Sequence, residues 1–302
     1  GHAHFAVFGL GKLGGVALGY ASDIELLFVY DDNDGRTTGG RDKQVSNTEF
    51  FHTLAQNASQ FIRAKRAGIF EVDLRLRPFG KEGPIATSLR QFEDYYWPEG
   101  DAHAFERLAL VRLRWIAGDP SLGYKVERLR DASLYDAPPI DLDAIWEIWT
   151  KLHAQKNEPN RLNAKYSSGA LVDLEGTVQL LQVRHASQAP QLRTPRLSGA
   201  IEGLRRAGVV SAEEYADLLG AYRFMRRLIN ALRMLRGNAQ DLFLPKAGSD
   251  ELLHLARRMG YDGGEDADPA RQLSDQFDTR THAVRQFIRT HFGRPCPGDR
   301  ET

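Results

Sequence analysis

Asp23 and Glu25 stand one residue apart at the head of an apolar run, Ile24-Glu25-Leu26-Leu27-Phe28-Val29-Tyr30, and a third acid, Asp73, lies in a second patterned run from Glu71 to Arg77. Side chains alternate along a strand, so Asp23 and Glu25 share one face while Ile24, Leu26 and Phe28 take the other. Carboxylates grouped this way are hard oxygen ligands for a divalent cation. Ahead of them runs a glycine-rich turn, Gly9-Leu10-Gly11-Lys12-Leu13-Gly14-Gly15, whose backbone amides and lysine suit phosphate oxygens. In the second run Glu71, Asp73, Arg75 and Arg77 alternate with Val72, Leu74 and Leu76, so the two arginines would sit beside Asp73, placed to meet phosphate. The chemistry these residues fit is a two-metal nucleotidyl transfer. Asp23, Glu25 and Asp73 would act as Mg²⁺ ligands and catalytic carboxylates, and Gly11, Lys12, Gly14, Gly15, Arg75 and Arg77 would hold the phosphates.

A rival reading exists for the turn. Gly9-Leu10-Gly11-Lys12-Leu13-Gly14 also fits the dinucleotide fingerprint, with Asp31 about where a ribose-binding acid belongs. That reading leaves Asp23 and Glu25 unexplained. It also needs a six-stranded doubly wound sheet, and no convincing strand follows about residue 90. Taken alone, the Glu71–Arg77 run would read equally well as a solvated edge strand.

The elements that must position these residues follow from local pattern. A strand begins at Phe5, a brief helical segment follows the turn, and a polar loop spans Asp31 to Asp42. Ser46 with Glu49 forms a capping box opening a helix to about Lys65, with Phe50, Phe51, Leu54, Ala58, Phe61 and Ile62 as its core stripe. After the Glu71–Arg77 strand, Gly83-Pro84 is a turn and Ile85–Thr87 a short strand. Ser88 with Gln91 then opens a helix carrying Phe92, Tyr95, Tyr96 and Trp97. A second helix is expected over about His103–Ala117, with Glu106, Arg107, Arg112 and Arg114 mostly solvated.

From Pro120 the pattern is helical: Leu122–Leu134, Asp141–Gln155, Gly169–Ala186, Leu197–Ala207, Ser211–Arg236, Ser249–Met259 and Pro269–Thr290. Ser211 and Glu214 form another capping box, Gly237 is a stop, and Gly263-Gly264-Glu265-Asp266 is a loop. Tyr222, Phe224, Met225, Leu228, Ile229 and Leu232 read as core. Asp173 and Glu175 either face a cleft or compensate a helix dipole. The expected architecture is α+β: a catalytic domain with a small mixed sheet over residues 1–118, then a helical bundle over 119–302.

Composition narrows the class. In 302 residues, 40 basic and 40 acidic side chains cancel, against a generic nucleic-acid surface, and 42% hydrophobic content supports a sizeable core. There is no membrane-length apolar run and no signal peptide pattern. The single cysteine, Cys296, cannot form an internal disulfide, which fits a reducing cytoplasm. The nine histidines show no metal-ligand spacing. A chain that starts with Gly1-His2 rather than methionine, and with strand residues from Phe5, reads as a piece of a longer protein.

These blocks together resemble a known family, the glutamine synthetase adenylyltransferase/adenylyl-removing enzymes, of the polymerase-β-like nucleotidyltransferase superfamily. The resemblance rests on Gly9 to Gly15, Tyr20-Ala21-Ser22-Asp23-Ile24-Glu25-Leu26, Val72 to Gly80, Gly83-Pro84 with Ser88, Glu93 to Tyr96, Glu106 to Arg112, and a weaker block from Lys165 to Gln179. It implies a polymerase-β-like catalytic domain with Ser22 among its nucleotide-binding residues, Mg²⁺ with ATP or ADP, and glutamine synthetase as protein substrate. It leaves room for a PII-type signalling partner and implies no nucleic acid or membrane. One unit of such an enzyme attaches AMP to a tyrosine and the other removes it by phosphorolysis. Arg77-Pro78-Phe79-Gly80, Glu93 to Tyr96, and Tyr222 to Arg227 look more like the removing half. The pattern departs from the family at Glu25 (usually Asp), Phe105 (usually Trp), Ser168 (commonly Gly) and Gly176 (usually Phe). The alternative those departures leave open is a degenerate, non-catalytic module that binds nucleotide or glutamine synthetase.

Overall fold

The structure, a computed structural model, describes residues 2–31, 34–41, 43–62, 70–262 and 268–299. The distal part of the predicted first long helix, up to Lys65, and the predicted 263–266 loop lie outside the described residues. The chain divides into two compact units.

The first unit comprises residues 1–18, 22–141 and 183–196 and holds the sheet. Its strands are β1 (Phe5–Gly9), β2 (Ile24–Tyr30), β3 (Val72–Asp73), β4 (Ala86–Ser88) and β5 (Arg114–Gly118). They lie in the order β3-β2-β1-β5, and β4 also pairs β2. β1 is antiparallel to both its neighbours, whereas β3 and β4 run parallel to β2 along successive parts of its edge. The sheet is therefore small and mixed, as the sequence implied. Helix α1 (Gly11–Gly14) is a single turn between β1 and β2, and α2 (Asn47–Phe61) follows β2.

Alternation sorts the two faces of the sheet. Leu26, Phe28 and Tyr30 join Phe5, Val7 and Ile24 in a cluster closed by Phe51 and Ala55 of α2. Phe51 stacks on Tyr30 at 5.0 Å and on Phe5 at 5.3 Å between ring centroids. Each such buried ring contributes about 1.5–3 kcal/mol relative to exposure. Leu27, Val29, Ala6 and Phe8 are buried on the opposite face, where α5 (Pro120–Tyr135) packs against β1 and β5 and α3 (Leu89–Tyr96) against β2. Ser88 and Gln91 form the predicted capping box of α3.

Three expectations fail here. Most of the α2 stripe is not core: Phe50, Leu54, Phe61 and Ile62 are exposed, Phe51 is the stripe residue that is buried, and α2 otherwise buries Asn47 and Ala55. Those three lie four residues apart on one line of the helix, and beside it Thr48 Oγ1 and His52 Nδ1 accept from Tyr30 Oη at 3.1 Å and the Ile85 amide at 3.4 Å. The predicted helix over His103–Ala117 is instead α4 (Ala104–Ala109), a 3-10 turn over Leu110–Arg112, and strand β5. Pairing with β1 decides that segment, a non-local contact that its apolar spacing does not reveal. Glu106, Arg107 and Arg112 are buried rather than solvated.

The second unit comprises residues 19–21, 142–182 and 197–302. It is helical: α6 (Leu142–Lys156), most of α7 (Leu171–His185), α8 (Leu197–Arg206), α9 (Ala212–Arg236), α10 (Asp250–Arg258) and α11 (Pro269–Phe292). Predicted and observed bounds agree to within a few residues because the stop signals are local. Ser211 and Glu214 form the capping box of α9, and Gly237 ends it at φ 68°. Phe224, Met225, Leu228, Ile229 and Leu232 form its core with Leu252, Leu255, Leu273 and Phe277, Tyr222 packing at the margin. Among the described residues no helix is long and apolar enough to cross a membrane.

Candidate active site

Glu25 and Asp73 are register partners on the parallel pair β2·β3, so their side chains leave the same face side by side. Glu25 is half-buried and one of its oxygens, Oε2, accepts the Lys12 amide at 2.9 Å. That bond explains the glycine two residues beyond Gly9. Gly11 adopts φ +47°, and a Cβ there would stand 1.4 Å from Glu25 Oε2. No other residue type leaves room for the carboxylate.

The turn serves fit more than grip. The Gly14 and Gly15 amides donate to Leu10 and Gly11 carbonyls at 2.8 and 3.0 Å, so they are committed within the turn. A Cβ on Gly14 would meet the Arg112 carbonyl at 1.8 Å, which makes that glycine a packing requirement. Arg114 on β5 donates to the carbonyls of Gly14 and Leu13, both at 3.0 Å. It holds the turn in place, and no sequence signal marked it once β5 was read as helix.

Asp23, preceded by buried Ser22, is exposed just before β2. Its Oδ1 accepts the Glu71 amide at 3.2 Å, while the Ile24 amide donates to the Glu71 carbonyl at 2.9 Å. Asp23 thus extends the β2·β3 ladder by one side-chain bond.

β3 ends after Asp73, and the predicted strand to Arg77 does not form. The Asp73 carboxylate accepts the Arg75 amide two residues on at 2.9 Å, a side-chain turn that competes with continued pairing. The Arg75 guanidinium then closes on the same carboxylate, Nε at 2.9 and 3.0 Å and Nη2 at 2.6 Å. Arg77 turns away: its guanidinium donates to the carbonyls of Leu74 (2.7 Å), Gly83 (3.1 Å) and Lys81 (3.1 Å). Four charges in a row on one strand face are therefore not what the chain builds.

The two register partners are driven apart electrostatically. Burial pushes the Glu25 carboxyl above its ordinary range, aided by the neighbouring Asp73 charge and opposed by the Lys12 amide and ammonium. Burial also acts upward on Asp73, but the side-chain and amide hydrogen bonds from Arg75 outweigh it and leave Asp73 below its ordinary range. Arg75 in turn is raised by its hydrogen bonds with Asp73, then by the charges of Asp73, Asp23 and Glu25. The guanidinium thus occupies the field of all three acids. Among the described residues no three acids, histidines or cysteines are spaced to hold a metal ion as they stand. The donor chemistry nonetheless suits a hard cation, since a positive group already sits where the three carboxylate fields overlap.

Comparison with known proteins places these residues in context. The chain matches the glutamate-ammonia ligase adenylyltransferase family profile over residues 1–129 and the GlnD PII-uridylyltransferase profile over residues 147–292. It is 34% identical over 301 residues, 95% of its length, to the bifunctional glutamine synthetase adenylyltransferase/adenylyl-removing enzyme of Streptomyces coelicolor. The enzymes of the same name from Xanthomonas axonopodis pv. citri and Mannheimia succiniciproducens are each 36% identical, over 84% and 76% of the chain. The chain belongs to this family. It spans about a quarter of the length of these relatives: 28%, 27% and 24% of the three. At one departure from the family pattern the structure supplies a local reason: a Cβ on Gly176 would stand 2.1 Å from the Trp149 ring, so the indole fills the space a larger residue would take.

Proposed function

We propose that the chain carries a nucleotidyltransferase site that adds or removes AMP on a tyrosine of glutamine synthetase, with removal by phosphorolysis favoured. The observation that carries this reading is the in-register pair Glu25 and Asp73, joined by Asp23 and backed by a turn whose Gly11 exists to admit Glu25. Asp23, Glu25 and Asp73 are the residues to hold Mg²⁺, which would stabilise the entering and leaving oxygens of an in-line displacement. ATP or ADP is the nucleotide. Lys12, next to Glu25, and Arg75, the exposed partner of Asp73, are the cations available to phosphate; Gly14, Gly15 and Ser22 shape the floor, and Arg77 braces the turn that presents Arg75.

In the removing direction an oxygen of inorganic phosphate attacks the adenylyl phosphorus, the bond from phosphorus to the tyrosine oxygen breaks, the tyrosine regains a proton, and ADP leaves. For Asp73 to serve, Arg75 must release it. Exchange of counter-charges accomplishes this, the guanidinium passing to a phosphate as the carboxylate turns to the site. Nitrogen regulation in the cytoplasm, with a PII-type protein as signalling partner, is the setting that fits this activity.

The test offers adenylylated glutamine synthetase with phosphate and Mg²⁺ and looks for ADP; a parallel reaction with ATP and unmodified enzyme reads the opposite direction. Product in the first tube supports removal, and product in the second supports attachment. The closed Asp73–Arg75 pair also favours a second reading, a degenerate module that binds nucleotide or glutamine synthetase without turnover. ATP binding indifferent to metal, with neither tube giving product, would support that module.

A further inference from the structure

Phe79 holds a conformation that the needs of folding do not explain. Its backbone is left-handed, φ 61° and ψ 16°, and Gly80 follows at φ +56°. Glycine or asparagine takes such a position at least cost, and a bulky side chain there is an outlier. Of the four described non-glycine residues with positive φ, Val16, Ala21, Phe79 and Asn160, only Phe79 is aromatic. It is also 51% exposed, so the strained backbone does not serve to bury the ring. Strain of this kind persists only where the surroundings over-determine it, and it gathers at ligand-binding positions.

The surroundings of Phe79 are built to hold it. Tyr95 of α3 packs against the ring at 4.7 Å between centroids, tilted by 60°. The Tyr95 hydroxyl donates to the buried Glu106 carboxylate at 3.0 and 3.2 Å, and Glu106 also accepts the His103 amide at 3.0 Å. The next ring on α3, Tyr96, donates to the Leu76 carbonyl at 2.8 Å. Within the turn, the Arg77 guanidinium ties the Leu74, Lys81 and Gly83 carbonyls together. A Cβ on Gly83 would stand 2.0 Å from the Pro78 carbonyl oxygen, so the turn closes tightly there.

This turn lies beside the acids. Glu25 alternates with Leu27 and Val29 along β2, and α3 packs against β2 on the face those residues bury. The Phe79 ring, resting on Tyr95, is therefore on the same side of the sheet as Glu25 and Asp73. A Cβ on Gly80 would stand 3.7 Å from the Arg75 carbonyl oxygen, and the charge of exposed Lys81 is among those that hold Asp73 low. A fixed, half-bare aromatic ring next to a phosphate site matches the other part of a nucleotide, because a purine offers a π-face to stack on it.

We propose that Phe79 is the platform on which the adenine base of the nucleotide stacks. The proposal rests on the nucleotidyltransferase reading of Glu25 and Asp73, and adds to it the residue that grips the base.

The test measures binding without turnover, by calorimetry on the full chain with Mg²⁺, for ADP and for pyrophosphate. Phe79→Ala weakens ADP roughly tenfold and leaves pyrophosphate unchanged, because it removes a stacking face and no charge. Phe79→Trp keeps ADP affinity and adds an indole fluorescence that ADP quenches and pyrophosphate does not. ADP affinity untouched by Phe79→Ala, or a loss shared equally by pyrophosphate, would overturn the platform and leave the acids in their role. Unchanged ADP binding with a raised KM for adenylylated glutamine synthetase would overturn it too, by seating the substrate tyrosine on the ring instead. A parent chain that binds neither ADP nor pyrophosphate would overturn this inference together with the reading beneath it.

Discussion

Asp73 in the sheet unit and Asp173 in the helical unit are anchored alike, each accepting a nearby backbone amide, from Arg75 at 2.9 Å and from Gly169 at 2.8 Å. Their remaining partners differ. Asp73 meets the Arg75 side chain, which is 68% exposed, whereas Asp173 meets His153 and Cys296, both buried. The first partner can be traded for another charge at little cost, because water receives the guanidinium it releases. The second cannot, because every replacement would have to be found in an apolar interior. A carboxylate that must change partners during function belongs at a strand end with an exposed arginine; one that must orient a neighbour belongs where nothing can compete.

That contrast can be broken most directly by removing each acid. Asp73→Asn should drop adenylyl turnover below detection while leaving the thermal melting transition in place, and normal turnover by that variant would remove Asp73 from the site. Asp173→Ala should do the reverse in kind, lowering stability by about 1–3 kcal/mol through the buried donors of His153 and Gly169 that it leaves unpaired, as read by urea unfolding. A smaller effect belongs to the turn. Gly11→Ala meets both a left-handed backbone and the Glu25 carboxylate, so unfolding free energy should fall by about 1–2 kcal/mol, with loss of turnover; a variant as active as the parent would show that Glu25 need not sit there.

Exchangeability itself has a direct readout. Without nucleotide, Arg75→Ala should bind Mn²⁺ more tightly, by a factor of up to roughly five, because the competing cation is gone and its exposure keeps the difference small. Unchanged or weaker binding would mean that Arg75 does not compete for the acids.

The smallest signal is in pH. Glu25, raised above its ordinary 4.5, binds a proton more readily folded than unfolded, so it withdraws stability as pH rises from 4.5 through its raised value. Asp73, held below its ordinary 3.8, adds stability above 3.8 and loses it as pH falls through its lowered value. Subtracting the stability-against-pH curve of Glu25→Gln from that of the parent should therefore leave a difference that falls with rising pH just above 4.5. A difference that rises would reverse the assigned environment of Glu25.

Much of this was legible in the chain. The acids, the glycine turn and the helices of the second unit rest on local signals: a two-residue alternation, a cap such as Ser211 with Glu214, a left-handed stop such as Gly237. Such signals act within one turn or one strand, so reading them requires no knowledge of what lies opposite. Where a neighbour decided the outcome, the same reasoning failed. Leu108, Val111 and Leu113 look helical to the end, yet β1 recruits Arg114–Gly118 as a strand. Phe50, Phe51, Leu54, Ala58, Phe61 and Ile62 look like a core stripe, yet of them Phe51 alone is buried, while Phe50, Leu54, Phe61 and Ile62 are exposed.

By itself, the sequence proposed which residues could do chemistry, and it determined the helices of the second unit, where they stop, and that a small mixed sheet is joined to a helical part. The tertiary structure alone decided that Glu25 and Asp73 are register partners, that Arg75 rather than Arg77 answers the acids, and that Arg114 holds the turn. It alone also brought His153, Asp173 and Cys296 together, residues spread from position 153 to position 296. The reason is one of range: propensities and caps act over a few neighbouring residues, whereas strand register and charge pairing depend on what packing brings alongside from elsewhere in the chain.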